Sequence, residues 1–449
     1  MPVEIFKIPD NSVITKHVID SLDRYWPEQS TLIESLPIVR LHASVEIKVP
    51  LKLCEINLPI WAKTWGVNGV LLVPEELLPI NNSGSNKNLW KEVDWFLVIF
   101  LMLEAWHERV WEAQYGPIHS YSFRLKKWDK RFWERAWVNR IALFLREWAA
   151  KENQCLPSTL FGELPNSNII LTHDVDAINK TLAIRLKQGL FTGFNAVRNL
   201  IAGNIVYAVK GFRKTLKMFF SQENWWTFED LLKLETDRGI KSIFYFHSNP
   251  QPKTFKSWLF DPGYSINDNR LKKLFIELKK KNNKIGLHPS FDSWDDETSI
   301  HNQKKSLEKS AGIKVLGCRQ HWLRFSWEKT WAAQEYAGLV YDTTLMFNDQ
   351  PGFRNASALS WAPWNKTSQK VHTLTALNTV LMDSHFYDYQ QLSDQQRTDQ
   401  LNWWMKECHA VHGKAAVLWH SHTLTQDYAW RNGFISLLDI IKNLCKCSQ

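Results

Sequence analysis

Short apolar runs and stretches of helical periodicity alternate along the last two thirds of the chain. Seven short runs predict strands, at 169–172, 241–246, 284–287, 316–318, 340–341, 379–382 and 415–419. Between them, apolar residues recur at helical spacing, as they do in 271–281, and predict helices. Repeated strand–helix units favour an α/β fold whose strands are parallel, in a sheet that is either open or closed into a barrel.

The first 155 residues have another pattern. Short β-rich segments at 38–41, 45–49 and 69–73 precede two helices. The second predicted helix carries an aromatic stripe: Trp133, Trp137, Ile141, Phe144 and Trp148. We interpret residues 1–155 as an N-terminal α+β accessory domain and residues 156–449 as a second domain of strand–helix units.

One segment, 177–222, interrupts the strand–helix order. It contains eight Lys or Arg residues and no Asp or Glu, together with many Leu, Ile and Phe residues. A basic, amphipathic helical segment is typical of contact with an anionic membrane surface. The alternative is a helical pair that packs on the barrel and leaves its charges in water, and the sequence favours neither.

Composition and charge limit the function classes. The chain has 449 residues with 44% hydrophobic residues, so it is not a disordered protein. Its net charge of +9 is concentrated in 177–222, which points to a local partner surface. Because no nucleic-acid-binding motif is present, we expect no nucleic-acid partner. The 24 Trp residues can form cores or stack on planar ligands.

The cysteines and the N-terminus suggest a compartment. Six cysteines in a chain of this length do not form a disulfide framework. The first residues show no signal peptide, and the longest apolar run has nine residues where a membrane span needs about 20. We therefore expect a soluble, cytoplasmic protein, with 177–222 as its one candidate for peripheral contact with the inner face of the membrane.

Polar residues follow several of the predicted strands directly. They include Asp174 and Asp176, His288 and Asp292, Arg319 and His321, Asp383 and His385, and His420 and His422. In parallel strand–helix folds, catalytic groups collect beyond the carboxyl ends of the strands. Carboxylates and imidazoles of this kind can hold a divalent ion and move protons, so the set predicts metal-assisted hydrolysis.

These motifs resemble the polysaccharide deacetylase family, carbohydrate esterase family 4. Thr-His-Asp-Val-Asp at 172–176 is similar to a bacterial variant of the family's first motif, and Leu-His-Pro-Ser at 287–290 is similar to the second. Residues 317–325 resemble the third motif, and Leu-Trp-His at 418–420 matches the closing Leu-x-His. The resemblance spans about 165–425 and implies a deformed (β/α) barrel of the polysaccharide deacetylase type. It also implies a preceding α+β domain.

The resemblance implies roles for individual residues. Asp174 matches the catalytic base, Arg319 the arginine that orients the base, and His420 the general acid. The metal ligands would be Asp176, His288 and Asp292, where Asp292 occupies the position of the family's second histidine. Zinc is the expected ion, with cobalt, iron or nickel as alternatives. Asp383 falls near the fourth motif's aspartate, and His173, His321, His385 and His422 are spare candidates. Our predicted substrate-binding residues are Trp322, Asp383, Trp419 and His422.

The predicted function is a metal-dependent hydrolase that removes an acetyl group from an N-acetylated sugar or glycan intermediate, in cell-surface polysaccharide metabolism. The first motif lacks the family's adjacent Asp pair and the second lacks its second histidine. Two alternatives therefore stay open. The chain could be a catalytically weakened glycan-binding or membrane-associated scaffold, or a hydrolase of C–N bonds in a non-sugar amide.

Overall fold

The computed structural model describes residues 8–41, 45–78 and 88–446 of the chain. The N-terminal part is mostly helical, with one antiparallel pair of strands. Its elements are α1 Asn11–Ser21, α2 Ser30–Glu34, β1 Leu53–Asn57, β2 Val70–Pro74, α3 Trp95–Leu103, α4 Trp106–Tyr115, α5 Arg131–Glu134, α6 Trp137–Glu152 and α7 Pro157–Phe161. Every residue of α3 is buried, so this apolar helix forms the centre of the N-terminal core.

Two N-terminal predictions differ from the structure. The segments 38–41 and 45–49 contain no strand in their described residues. The backbone N–H groups of these segments donate to side-chain carboxylates and not to a neighbouring strand: Leu41 N–H donates to Asp94 and Lys48 N–H donates to Glu76. The predicted aromatic helix is interrupted after α5, because Arg135 is extended and the next amide donates to Glu407.

A nine-stranded sheet dominates the rest of the chain. Its order is β12-β13-β3-β4-β5-β6-β7-β11-β8, and all neighbouring pairs are parallel except β11 and β8. The strands are β3 Asn168–Val175, β4 Ser242–Phe246, β5 Lys284–Leu287, β6 Gly317–Cys318, β7 Tyr341–Asp342, β8 Ser360–Trp361, β9 Trp364–Asn365, β10 Lys370–Val371, β11 Thr375–Leu377, β12 Thr379–Met382 and β13 Lys414–Leu418. All seven predicted strands are present, and the predicted deformed (β/α) barrel is confirmed as a curled, incompletely closed sheet.

Helices follow the strands of this sheet, and most of them cover it. They are α8 Leu182–Ile201, α9 Ile205–Phe220, α10 Phe228–Thr236, α11 Phe255–Phe260, α12 Asn269–Lys280, α13 Glu297–Ala311, α14 Thr330–Tyr336, α15 Asp383–Tyr387, α16 Asp394–Ala410 and α17 Arg431–Lys446. Because the sheet is covered, strands such as β4 are buried throughout and are read from the sequence as continuous apolar runs. The carboxyl ends of its parallel strands meet at one edge, which positions the polar residues that follow them.

The insertion 177–222 forms a helical hairpin, α8 and α9, joined through Gly203. Small residues lie between the two helices: Gly189, Thr192 and Ala196 on α8 and Ala208 on α9 are buried or in close contact. Within the described ranges, no helix has the length and apolar character needed to cross a membrane.

The N-terminal part packs directly on the barrel. The Trp133 ring contacts the Phe347 ring at 4.9 Å, and the Asn139 side chain bonds both backbone groups of Ala358. The carboxylate of Glu108 pairs with Arg354 at 2.8 Å, with both side chains buried. One apolar core therefore runs through both parts, and the division at residue 155 stays a prediction.

Candidate metal-binding active site

The carboxyl ends of β3, β5, β6 and β13 bring five of the predicted site residues together at one edge of the sheet. Asp174 and Asp176 follow from β3, His288 from β5, Arg319 from β6 and His420 from β13. The strand-end rule included these five among its candidates, and the resemblance to the family motifs distinguished them from the others.

Asp174 is held by a buried arginine. Arg319 has no exposed surface, and its Nη1 donates to Asp174 Oδ1 at 3.1 Å and to Thr172 Oγ1 at 2.7 Å. The other guanidinium nitrogens donate to the Thr343 carbonyl and to Thr379 Oγ1. With these four acceptors the guanidinium is fixed in one orientation, directly against the Asp174 carboxylate.

Three donor atoms converge beside Asp174. A carboxylate oxygen of Asp176 and one ring nitrogen each of His288 and His321 lie within 4.8 Å of one another. Asp176 Oδ1 is 3.4 Å from His288 Nε2 and 3.7 Å from His321 Nε2. Burial opposes ionisation of Asp176, yet the adjacent imidazoles of His288, His321 and His420 hold its pKa well below the usual range.

Hydrogen bonds behind the rings orient both imidazoles. His288 Nδ1 donates to the Arg319 carbonyl at 2.6 Å, which leaves Nε2 as the nitrogen that faces Asp176. His321 Nδ1 lies 3.4 Å from Asp261 Oδ1. Metal-binding histidines are typically supported in this way by a carbonyl or carboxylate on the second nitrogen.

The residues present fit a divalent cation. Asp176 Oδ1 is buried and has no hydrogen-bond partner, although it lies between two imidazole nitrogens. A cation between these atoms would satisfy the unpaired carboxylate oxygen and both nitrogens. One carboxylate and two imidazoles form a donor set typical of catalytic zinc sites, which keep a further position open. Cobalt, iron and nickel also bind imidazole, so the donor set alone does not select one ion.

A histidine–aspartate pair flanks the cluster. His420 Nδ1 donates to Asp383 Oδ1 at 2.7 Å, and its backbone N–H donates to Asp383 Oδ2 at 2.9 Å. His420 Nε2 lies 3.5 Å from Asp176 Oδ2. Burial disfavours the imidazolium, but the Asp383 carboxylate outweighs it and raises the pKa of His420 to about 10. His420 therefore carries a proton at neutral pH and can donate it.

Two of the predicted metal and substrate residues lie elsewhere. Asp292 is outside the cluster: its carboxylate is half exposed and pairs with Lys256 at 2.6 Å and Arg324 at 3.0 Å. His321 is the third member of the cluster instead. Trp419 has no exposed surface and packs against Tyr387 and Phe434, so its ring cannot stack on a ligand.

The other predicted substrate residues have different surroundings. Asp383 is fully buried and acts on His420, which removes it from direct contact with a ligand. The ring of His422 stacks on Trp225, and burial lowers its pKa to about 4. Trp322 is 42% exposed and its ring centre lies 6.2 Å from that of His321, so it is available to a ligand at the cluster.

Sequence reasoning gave no role to Asp261, and treated His321 only as a spare histidine. Asp261 follows the short helix α11 and no strand, so the strand-end rule does not identify it. His321 lies in a single 3-10 turn in which Trp322 adopts a positive φ of 56°. The direction of its ring is set by that turn, which residue spacing does not predict.

Comparison with known proteins gave structural similarities only. No protein-family model and no curated protein matches the chain. Among solved structures, a putative polysaccharide deacetylase from Mycobacterium smegmatis shares 15% identity at a TM-score of 0.35, covering 62% of this chain and 83% of that chain. The Xyl-CE4 domain of a multidomain xylanase from the hindgut metagenome of Trinervitermes trinervoides shares 10% identity at a TM-score of 0.30, covering 62% and 84%. A CE4 family pseudoenzyme from Bacillus anthracis shares 11% identity at a TM-score of 0.27, covering 63% and 61%. We therefore infer the function from the side chains of the site.

Proposed function

We propose that the chain is a metal-dependent deacetylase that hydrolyses the acetamide of an N-acetylated sugar. The observation that carries this proposal is the placement of a complete set of groups at one edge of the sheet. Asp176, His288 and His321 form the ligand cluster, Asp174 with Arg319 lies on one side of it, and His420 with Asp383 lies beside Asp176.

Each group has a task in amide hydrolysis. When bound, a divalent cation supplies Lewis acidity at the acetamide carbonyl. Asp174, oriented by its hydrogen bond from Arg319, accepts the proton of the attacking water. His420 delivers a proton to the departing amine nitrogen, and Asp383 stabilises the imidazolium form from which that proton comes.

The carbohydrate part of the proposal is supported by the aromatic wall next to the cluster. The Trp322 ring is packed edge-on against Phe260 and Phe291, which fix its position and leave its surface partly open. Aromatic side chains are suited to ring-shaped ligands because they combine apolar area with little conformational freedom. We propose that Trp322 stacks on the sugar whose acetamide is hydrolysed.

The site chemistry argues against the scaffold alternative, since a binding scaffold needs neither a buried arginine on Asp174 nor a protonated His420. The test is release of acetate from N-acetylated oligosaccharides by protein reconstituted with zinc, and separately with cobalt, iron or nickel. We expect turnover with metal and its loss after chelation. Asp174→Asn should lower kcat by about 10²- to 10⁴-fold, the usual size of a general-base contribution.

Metal binding is tested apart from activity by titrating zinc into metal-free protein in a calorimeter. His321→Ala should weaken affinity by at least about 100-fold, because even residues behind a ligand contribute 10- to 100-fold. Asp292→Asn is the matched control, because the half-exposed Asp292 pairs with cations away from the cluster. Equal affinity of wild type and His321→Ala would contradict the ligand assignment. Metal binding without acetate release would favour the scaffold or a non-sugar amide substrate.

We also propose a compartment and a biological setting for this activity. The proposed location is the cytoplasm, at the inner face of the membrane, with a substrate that is an intermediate of a cell-surface polysaccharide. Support comes from the cysteines, since Cys54, Cys155, Cys318 and Cys408 are free thiols. Cell fractionation tests the location: we expect the chain in the cytoplasmic and inner-membrane fractions.

A further inference from the structure

The α8–α9 hairpin has its large apolar side chains on the outside. Leu190, Phe194, Ile201, Ile205, Leu216 and Phe220 are each more than half exposed. The residues buried between the helices are mostly small, as described above. In a hairpin that is surrounded by water, the large apolar residues face inward and the polar residues face outward. The arrangement here is the reverse, which indicates that another molecule covers the outer face of the hairpin.

The barrel does not cover it. Near its base the hairpin touches the barrel through a small apolar contact of Met218 with Trp225 and through polar contacts. Lys214 lies 3.4 Å from Asp388, and the amines of Lys187 and Lys217 donate to the carbonyls of Trp258 and Gln426. Lys180 pairs with Asp427 at 2.7 Å in a buried position. These contacts fix the base of the hairpin, while its tip around 201–206 stays exposed.

Cations border the apolar tip. Arg198, Lys210 and Arg213 are exposed, and within the described ranges none of them lies at ion-pair distance from a carboxylate. The whole of 177–222 contains no acidic residue. Apolar side chains flanked by unpaired cations match the two layers of an anionic bilayer, in which acyl chains lie beneath negatively charged headgroups.

The hairpin stands beside the candidate site. α8 begins shortly after β3, the strand that leads to Asp176, and α9 leads to Trp225, whose ring stacks on His422. On the other side, Lys187 lies over the ring of Trp258 in α11, and the exposed Phe255 stacks on the same ring. At the end of α11, Phe260 touches Trp322. The exposed apolar surface thus runs from the hairpin to the edge of the metal cluster.

We propose that the outer face of the α8–α9 hairpin, continued by α11, binds an anionic lipid bilayer and holds the site over the headgroups. The substrate is then an acetylated sugar that forms the headgroup of a membrane lipid, an inference that rests on the proposed deacetylase function. The apolar tip lies among the upper acyl chains, Arg198, Lys210 and Arg213 contact lipid phosphates, and the sugar reaches Trp322 and the cluster from the bilayer surface.

The first experiment measures co-sedimentation of the full chain with vesicles. We expect binding to phosphatidylcholine vesicles that contain phosphatidylglycerol and much weaker binding to phosphatidylcholine alone. The variant Arg198→Gln/Lys210→Gln/Arg213→Gln should lower the partition coefficient by about 100-fold, from about 1 kcal/mol for each cation near the surface. The control Lys279→Gln/Lys280→Gln/Lys309→Gln removes the same charge at the ends of α12 and α13, which lead to the opposite edge of the sheet, and should bind as wild type does.

A second variant, Ile201→Ser/Ile205→Ser, tests the apolar contact and should also lower vesicle binding. Equal binding to both kinds of vesicle, or equal effects of the hairpin and control variants, would overturn the proposal. The proposal would also be overturned if the hairpin binds a second copy of the chain instead of vesicles. Sedimentation velocity would then show a dimer for wild type and a monomer for Ile201→Ser/Ile205→Ser, and wild type would not bind vesicles.

The final experiment separates this proposal from the deacetylase function. Acetate release is compared for a soluble N-acetylated sugar and for the same sugar attached to a lipid in anionic vesicles. We expect the hairpin variants to lose activity on the vesicles and to retain it on the soluble sugar. Equal activity of wild type and hairpin variants on both substrates would overturn the membrane proposal alone. Vesicle binding with no acetate release from either substrate would overturn the deacetylase function instead.

Discussion

At the residue scale, the same kind of hydrogen bond orients the rings of His288 and His420. In each ring Nδ1–H donates to an oxygen behind the site, the Arg319 carbonyl for His288 and the Asp383 carboxylate for His420. Nε2 of each ring is thereby left facing Asp176. The second partners differ: the Arg319 carbonyl leaves Nε2 of His288 as the atom available to a cation, whereas the Asp383 carboxylate raises the pKa of His420 to about 10.

A neighbouring histidine, His385, must stay neutral for the fold. Its Nδ1 accepts from the Met382 N–H and its Nε2–H donates to the Phe347 carbonyl, and burial lowers its pKa to about 3. The unfolded chain takes up this proton near pH 6.5. The contribution of His385 to stability is therefore complete above about pH 6.5 and is lost as the pH falls towards 3.

We predict that wild type loses about 2 kcal/mol of unfolding free energy more than His385→Asn does between pH 8 and pH 5, from the single proton that only the unfolded wild-type chain binds. The measurement is urea unfolding of both proteins across this range. Parallel pH profiles would show that His385 is protonated in the folded protein.

At this scale the sequence predicted which residues lie near the site better than it predicted which way their side chains face. Asp174, Asp176, His288, Arg319 and His420 each follow a predicted strand, and the family motifs distinguished them from other residues at strand ends. Trp419 was misjudged although it precedes His420 directly. Adjacent residues of an extended segment face opposite sides, so a histidine that faces the site places its neighbour in the core.

At the element scale, the close approach of α8 and α9 depends on one glycine. A Cβ at Gly211 would lie 2.8 Å from the Ala196 Cβ and 3.1 Å from the Ala196 Cα, and backbone atoms cannot move aside as a side chain can. A Cβ at Gly193, on the facing helix, would meet Thr215 at an ordinary 3.6 Å. The two positions make a matched pair.

Gly211→Ala should therefore separate the helices and speed amide hydrogen exchange across 182–220. Gly193→Ala should slow exchange or leave it unchanged, since alanine favours a helix over glycine by about 1 kcal/mol when it fits. Both effects are read by hydrogen-exchange mass spectrometry of the hairpin peptides. Slower exchange in Gly211→Ala would contradict the observed packing.

The elements of the barrel were predictable because buried parallel strands leave unambiguous apolar runs. The N-terminal strands predicted at 38–41 and 45–49 failed because isolated β-rich segments gain stability only from partner strands, and here the side chains of Asp94 and Glu76 bind the backbone first. The hairpin was predicted as helical, but its outward apolar face depends on which side the small residues occupy, and only the packed structure shows that.

At the scale of the whole molecule, the N-terminal part and the barrel share buried ionic contacts. Glu108 in α4 pairs with Arg354 of the barrel and accepts from the Trp327 indole N–H. Removing one partner leaves a buried charge without compensation, which costs about 3–5 kcal/mol.

Glu108→Gln should therefore lower the free energy of unfolding by about this amount. Because the two parts share one core, we expect a single urea transition in wild type, shifted as a whole in the variant. Asp20→Asn, which breaks the exposed pair with Lys16, is the control and should change stability by less than about 1 kcal/mol. Two separate transitions, only one of them shifted, would show that residues 1–155 fold on their own as the sequence predicted.

The four contacts of the Arg319 guanidinium have a consequence for synthesis of the chain. They reach Thr172 and Asp174 near the start of the barrel and Thr343 and Thr379 close to its end. A nascent chain that leaves the ribosome from its N-terminus holds Asp174 long before Thr379 is available, and His420 emerges later still. A translation product that ends before residue 379 therefore lacks one of the four acceptors that orient Arg319, and one that ends before residue 420 also lacks the proposed general acid.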